Sequence, residues 1–195
     1  PFPHDAIRSR LMKQGGPGYM PPAPGSFPPL DEVVAAIRAC GALPCYAFLD
    51  GTSNGEDDMH ALLEGLVARG IAAMVVIPDR NWNVPDAARS RDLAHRLDQA
   101  LRAAAELTIP VFIGTEMNRP GQLLVDDLSV PALCRHIPQF RQGADLLYAH
   151  SALAGRFGLG LYSQWAEANA PFWQDRIRLY TALGQLLSPQ DDSVE

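Results

Sequence analysis

The chain has 195 residues, 47% hydrophobic, 19% charged and 8% aromatic, so it is long and apolar enough to bury a core and does not have the composition of a disordered segment. Against 22 Asp and Glu stand 16 Lys and Arg, a formal net charge of -6 with no basic run, which argues against nucleic acid and anionic membrane as partners. The longest apolar stretch, 70–78, is too short to cross a bilayer and no basic-then-apolar leader opens the chain, so the expected address is the cytoplasm.

Cys40, Cys45 and Cys134 are odd in number and form no CxxC pair, so neither a disulfide framework nor a zinc ribbon is expected; they read as reduced, mostly buried thiols. The chain opens at Pro1 rather than Met, with much of its Pro and Gly in the first stretch, and reads as a fragment or processed chain. Four regions are expected: a Pro/Gly-rich segment over 1–29, a β/α portion over 30–160, helices of the same domain over 161–188, and a flexible acidic tail over 189–195.

In chain order, 5–14 predicts a short helix and 15–29 a loop, because its Gly and Pro interrupt either regular structure. Leu30, Val33, Val34, Ile37 and Cys40 recur at helical spacing, with Asp31 and Glu32 in the first turn and Gly41 as a stop; 43–49 follows as a strand. Asp57 or Asp58 caps a helix that ends at Gly70, and the continuous apolar run 71–77 predicts a strand buried on both faces. Asp86 opens a longer helix to about 107, followed by a strand over 109–113. A fourth unit is expected as a helix over 131–142, stopped by Gly143, and a strand over 145–149. The region 162–187 predicts helices anchored by Trp165, Phe172, Trp173 and Tyr180. Helix before strand, four times, implies an α/β fold with a parallel sheet.

In parallel α/β folds the loops beyond the carboxyl ends of the strands carry the chemistry. The expected strands deliver polar clusters there: Asp50 with Thr52, Ser53, Asn54 and Glu56; then Asp79, Arg80, Asn81, Trp82 and Asn83; then Thr115, Glu116, Asn118 and Arg119; then His150 and Ser151. Asp50, Asp79, Glu116 and His150 are the leading candidates, since carboxylates and an imidazole on one mouth can hold a divalent cation or move protons. Asp79, Glu116 and His150 are assigned the catalytic role, and Arg80, Asn81, Trp82, Asn118 and Arg119 the substrate contacts. Each has a structural alternative. An Asp after a strand caps helices or forms turns, a buried His can be a satisfied core residue, and Arg80 or Arg119 can pair with these carboxylates. No P-loop, dinucleotide fingerprint or GxSxG elbow occurs, which argues against those routes to nucleotide binding and serine catalysis.

The segment 30–51, with Leu43-Pro44-Cys45-Tyr46-Ala47-Phe48-Leu49-Asp50-Gly51 as its strand, resembles the later part of PHP-domain metal-dependent hydrolases, where such a strand ends in Ala-His-Pro. The strand to Asp79 resembles the one ending in Ile-Glu-Val, and Ile113-Gly114-Thr115-Glu116-Met117-Asn118 resembles the Gly-Ser-Asp-Phe-His signature. The resemblance covers about 30–121; in it Asp50 stands near a family histidine, Glu116 for the aspartate and Asn118 for the last histidine, while the family's His-x-His is absent. It implies a (β/α) barrel of the PHP type, here a partial barrel of four parallel strands with a C-terminal helical extension. Its open edge would be covered by a missing N-terminal half or by a homo-oligomer. It further implies a divalent metal ion (zinc, manganese or iron) on Asp50, Asp79, Glu116 and His150, and metal-activated hydrolysis of a small phosphorylated or carboxylated substrate. Two other readings stand beside it: a metal-independent enzyme with Asp79 and Glu116 as acid and base on a sugar or sugar acid and Trp82 as a stacking platform, or a catalytically degenerate metabolite-binding or scaffold domain.

Overall fold

The computed structural model describes residues 4–117 and 122–187. The chain divides into two compact units, 1–33 and 34–195. The first holds α1 (His4–Leu11) and a series of turns. The helix stops where Gly15, at φ 89°, and Gly16 turn the chain back, with the Gly18 N–H donating to the Leu11 carbonyl at 2.7 Å. Helix α2 (Leu30–Ala39) begins in this unit and continues into the second.

The second unit is an α/β fold on a three-stranded parallel sheet, β1 (Cys45–Phe48), β2 (Ala73–Val76) and β3 (Val111–Ile113), paired in sequence order. Cys45 lies opposite Ala73, and Met74 opposite Val111. Between the strands run α3 (Met59–Ala68) and, after the one-turn α4 (Asp79–Trp82), the long α5 (Ala87–Glu106). Both longer helices start where a carboxylate can satisfy a free backbone donor: Asp58 accepts from the Ala61 N–H and Asp86 from the Arg89 N–H.

The strand pleat separates two cores. Phe48, Met74, Val76 and Val111 turn to one face and pack with Met59 and Leu63 of α3 and Leu97, Leu101 and Ala104 of α5. Phe112 turns to the other face, where Leu146 and Ala149 pack with Ile177 and Tyr180. Those residues belong to α6 (Ile137–Phe157) and α8 (Trp173–Leu187), which flank the short α7 (Gln164–Asn169). The second face is incompletely covered: Ala47 is exposed, and Val75 and Ile77 are half-buried.

The predicted fourth strand, 145–149, lies inside α6, so the sheet has three strands among the described residues and is not closed into a barrel. Phe140, Gly143, Leu146, Ala149 and His150 are the buried positions of this helix, a spacing of three and four that a strand cannot present to one side. Nor does Gly143 stop the helix. A Cβ there would overlap the Val111 carbonyl oxygen, so its glycine lets α6 lie directly on β3. Gly184 does the same for α8, where a Cβ would overlap the carbonyl of Asp145. The cysteines also differ from expectation: all three are free, but Cys40 and Cys134 are exposed and Cys45 is half-buried. No helix among the described residues is long and apolar enough to cross a membrane.

Candidate functional site

Because the strands are parallel, their carboxyl ends deliver successive loops to one edge. Asp50 follows β1 by two residues, Asp79 and Arg80 open α4 just beyond β2, and Glu116 follows β3 by three. Arg80 joins them: its Nη1 donates to Glu116 Oε2 at 2.8 Å, and its Nη2 lies 3.9 Å from Asp50 Oδ2. The Asp50 carboxylate is oriented from its other oxygen, Oδ1, which accepts from the Thr52 hydroxyl at 2.6 Å and the Thr52 N–H at 3.2 Å. The turn that allows this needs Gly51, at φ 70°, where a Cβ would press on the Phe48 ring at 3.3 Å. Farther along the loop, Glu56 accepts from the Tyr46 hydroxyl and from the Ser53 N–H, folding the segment back on β1. Burial and then the Glu56 carboxylate raise the Tyr46 hydroxyl well above its ordinary pKa, so it remains a proton donor.

Asn81 is fully buried and acts as a staple rather than a substrate contact. Its Nδ2 donates to the Leu49 carbonyl at 3.1 Å and the Ile77 carbonyl at 3.3 Å, tying the chain beyond β1 to the chain beyond β2. Its Oδ1 is buried with no hydrogen-bond partner among the described residues. Trp82 is partly buried against the first core, and its Nε1–H donates to Asp126 Oδ1 at 3.3 Å, so the indole is an anchor and not the open platform expected of it.

Asp126 meets this edge, through Trp82, from a loop to which no strand end points. It is only 7% exposed, and its carboxyl accepts from the Trp82 Nε1–H, with the backbone N–H of Asp79 beside it. Burial, with a further contribution from the Asp79 charge, holds its pKa above the ordinary aspartate value, against the downward pull of those two donors. Asp79 itself is half-buried and accepts from Asn83 Nδ2 at 2.8 Å. The neighbouring Asp127 behaves oppositely: it is exposed, and the Ser129 hydroxyl and N–H, at 2.6 and 2.9 Å, lower its pKa. An Asp-Asp doublet in a loop gives no sign of which member turns inward. The apolar run Leu123-Leu124-Val125 just before it gives none either, since all three are exposed.

His150 does not join this group. It lies on α6, 6% exposed, with Nε2–H donating to the Gly41 carbonyl at 3.1 Å and Nδ1 accepting from the Leu161 N–H at 3.0 Å. Gly41 precedes β1, whereas Asp50 follows it, so the imidazole belongs to the opposite end of the strand. Its two bonds fix a neutral tautomer, and burial lowers its pKa although the Gly41 bond opposes the shift. Asn118 and Arg119 lie outside the described residues.

The expected four-ligand metal centre is therefore not assembled. No group of three or more His, Cys, Asp or Glu side chains among the described residues is placed to hold a metal ion, and the Arg80 guanidinium stands between Asp50 and Glu116. What the edge does hold, among the described residues, is Asp50 and Glu116 on the Arg80 guanidinium, with Asp79 and Asp126 beside them and Arg96 donating to the Gly51 carbonyl. Such an edge offers hydrogen-bond acceptors to hydroxyl groups. Comparison with known proteins found no family, no curated protein and no solved structure that matches the chain.

Proposed function

We propose that the carboxyl edge of the sheet is the active site of an acid–base enzyme that needs no metal and acts on a neutral, hydroxyl-rich small molecule of the sugar type. The observation that carries this reading is the Asp79–Asp126 pair. One carboxyl, Asp126, is buried against Trp82 and its pKa is raised by that burial, while its neighbour Asp79 is half-buried and accepts from Asn83. Two carboxyls in unlike environments are the arrangement that divides acid from base. Asp126 gives its proton to a carbonyl or departing oxygen, and Asp79 takes one from a hydroxyl or water. Arg80, held by Asp50 and Glu116, positions the loop beyond β2 and keeps the edge from becoming more acidic still. This changes the partner of Asp79 from Glu116 to Asp126, because Glu116 is engaged by Arg80.

A second reading is hydrolysis of a phosphorylated or carboxylated substrate by metal-activated water. It is favoured by the excess of carboxyl groups and by the likeness of 30–121 to PHP domains. It requires Arg80 to leave Glu116 so that Asp50, Asp79 and Glu116 become ligands. The barrel belongs to the same proposal: three parallel strands in sequence order, with helices between them, are what a segment of a β/α barrel would contribute. Another stretch of chain, or a second copy, would then cover the open part of the second face.

Thermal melts with a panel of neutral sugars, sugar acids and sugar phosphates, with and without chelator, separate these readings. A ligand at about a hundred times its Kd stabilises by about 2.7 kcal/mol, an upward shift of about 5–10 °C for a chain of this size. The acid–base reading expects neutral sugars to give the shift in chelator, and Asp126→Asn to abolish turnover while the shift remains. Stabilisation by sugar phosphates only, and only after zinc or manganese is added, would replace it with the hydrolase reading.

A further inference from the structure

A second built site lies at the opposite end of β3 from Glu116. A cavity of about 340 Å³ opens there between the end of α5, the start of α6 and α8, with Thr108, Pro110, Arg135, His136, Gln142 and Ile177 on its walls. Behind it, Asp98 of α5 is 6% exposed and meets two guanidiniums and an imidazole: its Oδ1 lies 2.8 Å from Arg135 Nη2 and 3.0 Å from His136 Nε2, and its Oδ2 2.9 Å from Arg102 Nε.

These contacts fix the imidazole. A carboxylate oxygen at 3.0 Å requires the proton on Nε2, so the Arg135 Nε at 3.3 Å from the same nitrogen is a close neighbour and not a donor to it. Nδ1 then carries the lone pair, and it has no hydrogen-bond partner among the described residues although His136 is 9% exposed and lines the cavity. Burial lowers the His136 pKa, with Asp98 opposing and the Arg135 and Arg102 charges adding to the shift, so the ring is a neutral acceptor. The charges do not balance: one carboxylate faces two guanidiniums, and no Asp or Glu lines the cavity. Thr108, on the wall, has φ 56°, a left-handed conformation that a β-branched residue adopts only under constraint from its surroundings.

We propose that this cavity binds a small hydroxycarboxylate with an apolar body: the carboxylate meets Arg135, the hydroxyl donates to His136 Nδ1, and the carbon skeleton lies against Pro110 and Ile177. Each part of the ligand answers a feature of the wall, namely surplus positive charge, an unused acceptor and apolar surface. The volume suits a ligand at the small end of ordinary binding sites. The site is independent of the carboxyl edge, and its test does not depend on any activity there.

The experiment is an amide NMR titration of the full chain with lactate, mandelate, phenylacetate and mandelamide. Saturable shifts are expected at 105–110, 134–143 and 177–181, with mandelate tighter than lactate. Removing either the hydroxyl, as in phenylacetate, or the charge, as in mandelamide, is expected to weaken binding about tenfold, the equivalent of about 1.4 kcal/mol. Arg135→Gln, a change at an exposed side chain, is expected to weaken mandelate about tenfold while leaving the spectrum otherwise folded. Absence of saturable shifts at these residues, equal affinity in Arg135→Gln, or mandelamide binding as well as mandelate would each overturn the proposal.

Discussion

Replacing Arg80 by Met tests whether the guanidinium holds the carboxyl edge together. Two opposite charges 2.8 Å apart, as in Arg80 and Glu116, attract by about 1.5 kcal/mol in a water-like dielectric and by about 6 kcal/mol at an effective constant of 20. The side chains are 33% and 27% exposed, so desolvation and loss of side-chain freedom offset most of the larger figure. Asp50, at 3.9 Å from the second nitrogen, adds a weaker attraction. The net loss expected for Arg80→Met is about 2 kcal/mol, the range of a hydrogen bond to a charged group, and hence a fall in Tm of about 4–8 °C. Glu116 makes further interactions, so Glu116→Gln alone does not isolate the pair. A double-mutant cycle of Arg80→Met with Glu116→Gln, followed by urea unfolding, does, and a coupling of about 1–3 kcal/mol is expected. The coupling should shrink in about 1 M salt, where the screening length is about 3 Å. A coupling within about 0.3 kcal/mol of zero, the ordinary error of additivity, would refute the bridging role of Arg80.

Three further predictions concern packing and titration. Gly184→Ala places a methyl group against the Asp145 carbonyl, so α8 must move off α6; a loss of about 3 kcal/mol is expected, the upper range for overpacking, and a urea midpoint equal to wild type would contradict that close approach. His136 and His150 both have folded-state pKa values below the ordinary value of 6.5, so as pH falls the unfolded chain takes up protons first. Stability is therefore insensitive to these groups well above pH 6.5 and declines below it, by up to about 1.4 kcal/mol per pH unit for each ring. Urea melts from pH 8 to 5 on wild type and His150→Asn read the share of His150; identical slopes would show that its ring is not held neutral. Cys45 is pushed up to about 11 by burial, whereas Cys40 and Cys134 are exposed, so two thiols should react rapidly with a disulfide reagent at pH 8 and the third only on unfolding. Peptide mapping identifies them, and early labelling of Cys45 would contradict its burial.

The elements with strong local signals were legible in the chain. Asp58 and Asp86 mark their helix starts, the run 71–77 contains β2, and Gly41 and Gly70 turn the chain after α2 and α3. The segment 145–149 was not, because five consecutive residues of Asp-Leu-Leu-Tyr-Ala suit either period, and only the wider spacing from Phe140 to His150 shows the helix. Gly143 misleads for a related reason. As a helix stop it is local, whereas its actual role is set by the Val111 carbonyl, distant in sequence. At the carboxyl edge, Asp50, Asp79, Arg80 and Glu116 could be found from strand ends alone. The roles of Asn81, Trp82 and Asp126 could not, since each depends on burial and on a partner far along the chain: Asn81 on Leu49 and Trp82 on Asp126, separated by 32 and 44 residues. His150 was misplaced with its strand: once 145–149 is helical, the strand end that would have delivered it to the edge is gone.

Whether Asp126 and Asp79 form an acid–base pair at the carboxyl edge is read by a carboxyl-detected 13C NMR titration. In wild type Asp126 is expected to titrate above the ordinary 3.8, and in Asp79→Asn to move part of the way back, the remainder being the effect of burial. An Asp126 that titrates at or below 3.8, or one that is unmoved by Asp79→Asn, would contradict the pairing and the function drawn from it.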